Sequence, residues 1–414
     1  MINIKFYRYG RWLCLLLLCS VITLQSIFAP IEVLASFHGA SSSSVWEPGG
    51  NPGDTSLSAI SPLDQVELNN FVEFMPIVQQ STPIHAIRLD FPNMANSRTL
   101  VEVLEQRMKS VGVNLVALGA GRAEWTYFKW AGHENVWSND VKDTGTDFLL
   151  DDASRFVNWA QVNAVVDVFA PNYILAHPEK AAVSVDGTPS ANLVSTTELV
   201  HGAFGQQLLD MIDYIAANYP VNSISITELY YHRDGYGPDD KAAYMAYSGN
   251  SDWPRNSNGT INTFEPSVGN WRSHELDTFL DKAVALAHAH GKKLFMDVEL
   301  SLENLSYLTN EHGTNYNLVL EHMDRLVVWG YYGVDNYPPE YLQDVAHFLT
   351  QFHQDKVILS IGLWDDNGLA VSPESFRTAM QSVLAGGVNN IWITPSLLMN
   401  DTNWQTLADF WGGH

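Results

Sequence analysis

Several acids in this sequence close short apolar runs, where a side chain is free to do chemistry. Glu228 ends the run Ser223-Ile224-Ser225-Ile226-Thr227, and Tyr230, Tyr231, His232, Arg233 and Asp234 follow closely. Alternation along an extended segment gives Glu228 one face with Ile224 and Ile226. Asp297 and Glu299 stand two residues apart at the end of 293–299, and Asp365 and Asp366 follow Trp364 just past 356–362. A carboxyl whose pKa is raised by apolar or acidic neighbours can donate a proton, while a second carboxylate serves as base or nucleophile. If the runs ending at Glu228 and Glu299 are adjacent strands, roughly 4.8 Å apart, their carboxyls fall within the roughly 5–9.5 Å that hydrolysis of a glycosidic bond uses. Asp365 competes with Glu299 for the second role, and Asp297 is expected deeper, in a polar layer.

Aromatic residues gather at the same chain positions: Trp125 and Tyr127, Tyr173, then Trp329, Tyr331, Tyr332 and Trp364. Flat rings stack on the apolar faces of sugars and leave hydroxyls to polar neighbours. Asp90, Arg122, Asn172, His177, Tyr230 and His232 are the polar groups expected beside Trp125, Tyr173, Trp329, Tyr331 and Trp364 in one cleft. Trp159, Trp404 and Trp411 fall in helical segments and are assigned to packing. His288 and His290 form an HxH, but positions i and i+2 of a helix face different ways, which argues against shared metal ligation. No phosphate loop, nucleophile elbow or HExxH occurs, and the chemistry calls for no metal or cofactor.

The elements that must position these residues follow from periodicity. Strand-like runs occupy 84–90, 113–118, 164–169, 223–228, 293–299, 325–330, 356–362 and 389–394. Helical patterns occupy 97–110, 149–162, 197–218, 273–290, 313–322, 338–353, 372–385 and 402–411. Ser372-Pro373-Glu374 opens one helix, and Gly291 and Gly386 stand where C-terminal caps belong. Eight strand–helix repeats describe an α/β fold, a (β/α)8 TIM barrel. The links after strands 2, 3 and 4 are long, whereas the helix-to-strand links are short. Long βα loops therefore gather at the C-terminal face, where barrels place their chemistry.

Of the 414 residues 46% are hydrophobic and 16% charged, and the formal charge is −24. Phosphate binding needs Lys and Arg that are scarce here, which excludes nucleic acid as a partner. Lys5, Arg8 and Arg11 precede an apolar run from Trp12, and Val33-Leu34-Ala35 suits a signal peptidase, so residues 1–35 read as an export signal. Its removal would leave a charge of −26 and no cysteine, since Cys14 and Cys19 lie within it. The expected product is secreted or periplasmic and not held in a membrane. Residues 36–82 are rich in Ser, Gly and Pro and read as an arm or linker, and 83–414 form the barrel. So acidic a protein suits a neutral or cationic polysaccharide or oligosaccharide better than an anionic one.

Three stretches resemble the exported bacterial barrels known as glycosyl hydrolase-like family 10-type proteins, which are related in fold to the hydrolase domain of poly-N-acetylglucosamine processing proteins. The first is Ala170-Pro171-Asn172-Tyr173 with His177-Pro178-Glu179 and Val185-Asp186-Gly187; the second is 222–231; the third is Asp252-Trp253-Pro254-Arg255. The resemblance covers about residues 84–400. It implies glycosidase chemistry, with Glu228 in the acid role and Asn172, His177 and Tyr230 lining the cleft. Where the family carries a pair of acids at the end of strand 4, this chain has Glu228-Leu229. A barrel that binds glycans without cleaving them is therefore a competing expectation.

Overall fold

The computed structural model describes residues 82–90, 98–231, 234–300, 313, 315–351 and 355–412. The expected export signal and, apart from Thr82, the arm lie outside the described residues, as does His232.

Eight parallel strands form a closed barrel: β1 (His85–Leu89), β2 (Leu115–Arg122), β3 (Gln161–Asp167), β4 (Ser223–Thr227), β5 (Lys293–Val298), β6 (Arg325–Gly330), β7 (Val357–Gly362) and β8 (Ile391–Thr394). Each pairs with the next, and the register His85↔Ile391, Ala86↔Trp392 and Ile87↔Ile393 joins β1 to β8. The helices that follow the strands are α1 (Arg98–Ser110), α2 (Phe148–Phe156), α3 (Ala203–Asn218), α4 (Pro266–Ala289), α5 (Tyr316–His322), α6 (Tyr341–Leu349), α7 (Pro373–Ala385) and α8 (Asp401–Trp411). The (β/α)8 barrel expected from periodicity is the fold.

The departures are local and have physical causes. Helix α2 stops at Phe156 because Gln161 and Val162 already pair with β2. The helix expected over 197–218 is two, Thr196–His201 and α3, parted at Gly202. The buried Glu198 carboxylate folds over Gly202, where a Cβ would meet it at 2.2 Å, and accepts the Phe204 amide at 3.0 Å. Ser372 caps α7 as expected, by accepting the Ser375 amide. Gly386 is the C-terminal cap of α7 as expected, at φ −75°, and the left-handed residue after it is Gly387 at φ +96°.

Ala86, Leu115, Val165, Phe295, Val327, Ile358 and Trp392 fill the barrel interior. Inward positions further up the strands turn polar, with Arg88, Asp167, Thr227 and Asp297 in register with inward-facing neighbours. Burying apolar side chains below and ionisable ones above sets the stable floor under a reactive mouth. The long loops after β2, β3 and β4 carry extra elements, including an antiparallel strand Trp125–Thr126 on β2 and a hairpin of Ala181–Val183 with Pro189–Val194.

Candidate active site

Ser225 of β4 is in register with Val165 and Phe295, so the inward set of this strand is Ser223, Ser225 and Thr227. Ile224 and Ile226 therefore face the surrounding helices, and strict alternation would send Glu228 after them. The backbone prevents this. Glu228 has φ +65°, a left-handed conformation that costs a non-glycine residue free energy of order 1 kcal/mol and that persists only where the surroundings impose it. The turn swings the carboxyl back over the barrel mouth, among Arg88, Asp167, Asp297 and Tyr230.

Burial, and then the charge of Asp167, push the Glu228 carboxyl up to about 8; the Arg88 guanidinium and a hydrogen bond from the Tyr230 hydroxyl oppose the rise. Asp297 lies one level down, 5% exposed. Burial raises it to about 7 against the pull of Arg88 and a hydrogen bond from Thr227. Asp90, at the top of β1, is raised to about 6 by burial despite Arg88 beneath it and the Ser396 hydroxyl at 3.4 Å. Arg88 faces the carboxyls of Asp90, Asp297 and Glu228 and the Tyr331 hydroxyl, which together outweigh its burial and hold its pKa above the usual arginine range. The neighbouring charge pair is Arg122 with Asp167, Nε to Oδ2 at 3.0 Å; the other Asp167 oxygen accepts the Phe169 amide at 2.8 Å.

A continuous aromatic wall borders this group. Tyr230 meets Trp329 edge to face at 5.7 Å, Trp329 stacks on Tyr331 at 5.4 Å, and Tyr331 meets Trp364 edge to face at 5.5 Å. Tyr331 lies directly on Gly362, where a Cβ would come within 2.5 Å of its ring. Glu299, just past β5, acts on the Tyr230 hydroxyl and so belongs to the same group.

The other expected residues lie elsewhere or serve the loops. Asp365 is part of a turn of its own, its Oδ1 accepting the Asn367 and Leu369 amides at 2.8 Å each. Trp125 pairs with Arg122 through the backbone and meets Tyr127 at 4.7 Å. The Asn172 and Tyr173 amides donate to Glu124 at 3.1 and 2.7 Å, the Tyr173 hydroxyl donates to buried Glu198 at 2.7 Å, and exposed His177 rests on the Tyr173 ring at 4.7 Å. Glu124, which accepts from the Asn172 and Tyr173 amides, senses Arg122 and Asp167 and so links this loop to the Glu228 group.

Arg88 and Asp167 are absent from the sequence expectations, although a signal was present. Arg88 continues the inward face begun by Ala86, and Asp167 continues that of Asn163 and Val165, each at the C-terminal end of a strand. Among the described residues one group has metal-ligand geometry, Asp277, Asp281 and His322 on the outer helices. The His322 ring turns Nε2 to Asp277 at 3.4 Å and Nδ1 to Asp281 at 2.5 Å, so its two nitrogens face different carboxylates. His288 and His290 contact different acids, Asp324 and Asp213, as helical spacing requires.

No protein-family model matches this chain, and no curated protein matches it in sequence. Solved structures do match in fold. The PgaB (BpsB) glycoside hydrolase domain from Bordetella bronchiseptica aligns at 13% identity and a TM-score of 0.58, over 80% of this chain and 99% of that one. The catalytic domain of beta-amylase from Paenibacillus polymyxa aligns at 12% identity and a TM-score of 0.52, over 79% and 96%. What these chains share is the barrel. At such identities the likeness carries no residue roles, so the chemistry of this site rests on its own geometry.

Proposed function

We propose that this chain is a barrel glycoside hydrolase, akin to the family 10-type proteins that its sequence resembles, acting outside the cytoplasm on a neutral or cationic polysaccharide. The observation that carries the reading is Glu228: a carboxyl turned into the barrel mouth by a left-handed backbone, its pKa pushed up to about 8 by burial, and bordered by the Tyr230–Trp329–Tyr331–Trp364 wall. A protonated carboxyl can give its proton to a leaving glycosidic oxygen, and the half-buried Tyr331 and Trp364 leave aromatic surface beside it for a sugar ring. The Bordetella domain of like fold is a glycoside hydrolase domain, and the export signal expected over residues 1–35 supports action outside the cytoplasm.

The test is reducing-end release from a panel of neutral and amino-sugar polysaccharides. Glu228→Gln should lower turnover at least about 100-fold while calorimetric affinity for a product oligosaccharide stays within a few-fold of wild type. A variant that hydrolyses at the wild-type rate would end the reading. The second reading, a barrel that binds glycans without cleaving them, is favoured by Leu229, which is 2% exposed where the related family has an acid. Tight oligosaccharide binding by a wild-type protein that releases no reducing ends would establish it.

A further inference from the structure

Proton donation by Glu228 requires a second carboxylate, and the site holds several. Asp365 is committed to its own turn. Asp297 lies deep below the mouth, and its raised pKa of about 7 leaves much of it protonated and weakly nucleophilic at neutral pH. Glu299 stands just past β5 and acts on the Tyr230 hydroxyl, whereas the acids that act most on Glu228 are Asp167 and Asp297. Asp167 differs from all three. It ends β3, the strand beside β4, in register with Thr227, the residue before Glu228. Each of its oxygens accepts one N–H, from Arg122 or from Phe169, and so keeps a lone pair to offer. Its side chain is 14% and that of Arg122 25% exposed, so the pair is partly open to solvent.

We propose that Asp167, ion-paired with Arg122, is the catalytic nucleophile that opposes Glu228 across the anomeric carbon of the bound sugar. This rests on the glycoside hydrolase reading. Strands lie roughly 4.8 Å apart, and placement on neighbouring strands one register step apart suits the short separation, about 5–5.5 Å, at which a carboxylate attacks directly; a water between two acids needs about 6.5–9.5 Å. In the first step an Asp167 oxygen bonds to the anomeric carbon as the bond to the leaving oxygen breaks, and that oxygen takes the proton of Glu228. In the second, Glu228 removes a proton from water, whose oxygen bonds to the anomeric carbon and releases Asp167 as carboxylate. One water is consumed, Glu228 regains its proton, and the anomeric configuration is retained.

The experiment follows the hydrolysed polysaccharide by NMR and adds two probes. Wild type should release the retained anomer first. Asp167→Ala should lose at least about 1,000-fold in turnover and, with added azide, form a glycosyl azide of inverted configuration. On unaltered protein, a 5-fluoroglycosyl fluoride of the hydrolysed sugar should esterify Asp167, detected by peptide mass spectrometry whether or not the variant folds. Release of the inverted anomer, or an ester on another acid, overturns the assignment and leaves the hydrolase reading in place. A folded Asp167→Ala protein within threefold of wild type does the same. A wild type that cleaves nothing in the panel removes the reading, and this nucleophile with it.

Discussion

Glu228 carries a strained backbone angle and an unfavourable charge environment at one position, and both have measurable consequences. Its folded pKa of about 8 exceeds the roughly 4.3 of an unfolded glutamate. Below about pH 4 the group is protonated in both states and costs nothing. Between there and about 8 only the unfolded chain ionises, so stability falls as pH rises through that window. Glu228→Gln abolishes this dependence. The variant should gain on the order of 1–2 kcal/mol over wild type at pH 8, partial exposure having reduced the full shift, and almost nothing at pH 4.5. Melting temperatures at the two pH values decide this, and an equal difference at both would refute it. Catalysis should respond in the same window, with kcat/KM falling as pH rises through about 8, because the proton to be donated is then gone. The sequence already placed an acid at this strand end. It did not show the direction of the side chain, since φ +65° is imposed by packing around the loop and no local propensity encodes it. Arg88 and Asp167 were legible by alternation with Ala86 and Val165, but a charged residue in an apolar run reads equally well as the end of the run.

Among the elements, the strands were the easiest to read and the loop insertions the hardest. Barrel strands buried on both faces leave near-continuous apolar runs, and those stand out from the helical pattern between them. The hairpin of Ala181–Val183 with Pro189–Val194 has no such run; it is held by a turn in which Asp186 accepts from the Ser184 hydroxyl and the Thr188 amide. Glycine on β7 shows how an element shapes the site. Gly362 leaves room for the Tyr331 ring, and a methyl group there would stand 2.5 Å from Cδ1 and 2.9 Å from Cγ. Gly362→Ala should push Tyr331 off the strand, break its stack on Trp329 and lower oligosaccharide affinity about 5- to 20-fold, with a stability loss of about 1–3 kcal/mol from overpacking. Titration calorimetry and thermal melts measure the two effects. Unchanged affinity would show that the aromatic wall does not hold the sugar.

For the whole molecule, closure of the barrel is the feature on which the site depends, because Arg88 on β1 must reach Asp297 on β5 across the interior. The seam between β1 and β8 is reinforced from below by the last helix. His85 at the start of β1 stacks on Trp411 at 4.7 Å and 5°, Arg107 of α1 pairs with Asp401 of α8 at 2.7 Å, and the turn at Gly112 packs on the Trp411 carbonyl. The beginning and the end of the barrel thus meet at one point, and the order in which the chain visits the eight repeats is not itself needed to hold them. A circular permutant of residues 82–414, joined by a short glycine-rich linker and reopened in the exposed turn at Ser257-Asn258, should fold to the same barrel. Its melting temperature should stay within about 2 °C of that of the unpermuted barrel, a stability change of about 1 kcal/mol. A permutant that does not fold would mean that the first strand must be made first. One that folds would make this barrel a ring, in which the seam between β1 and β8 is one convenient place to cut.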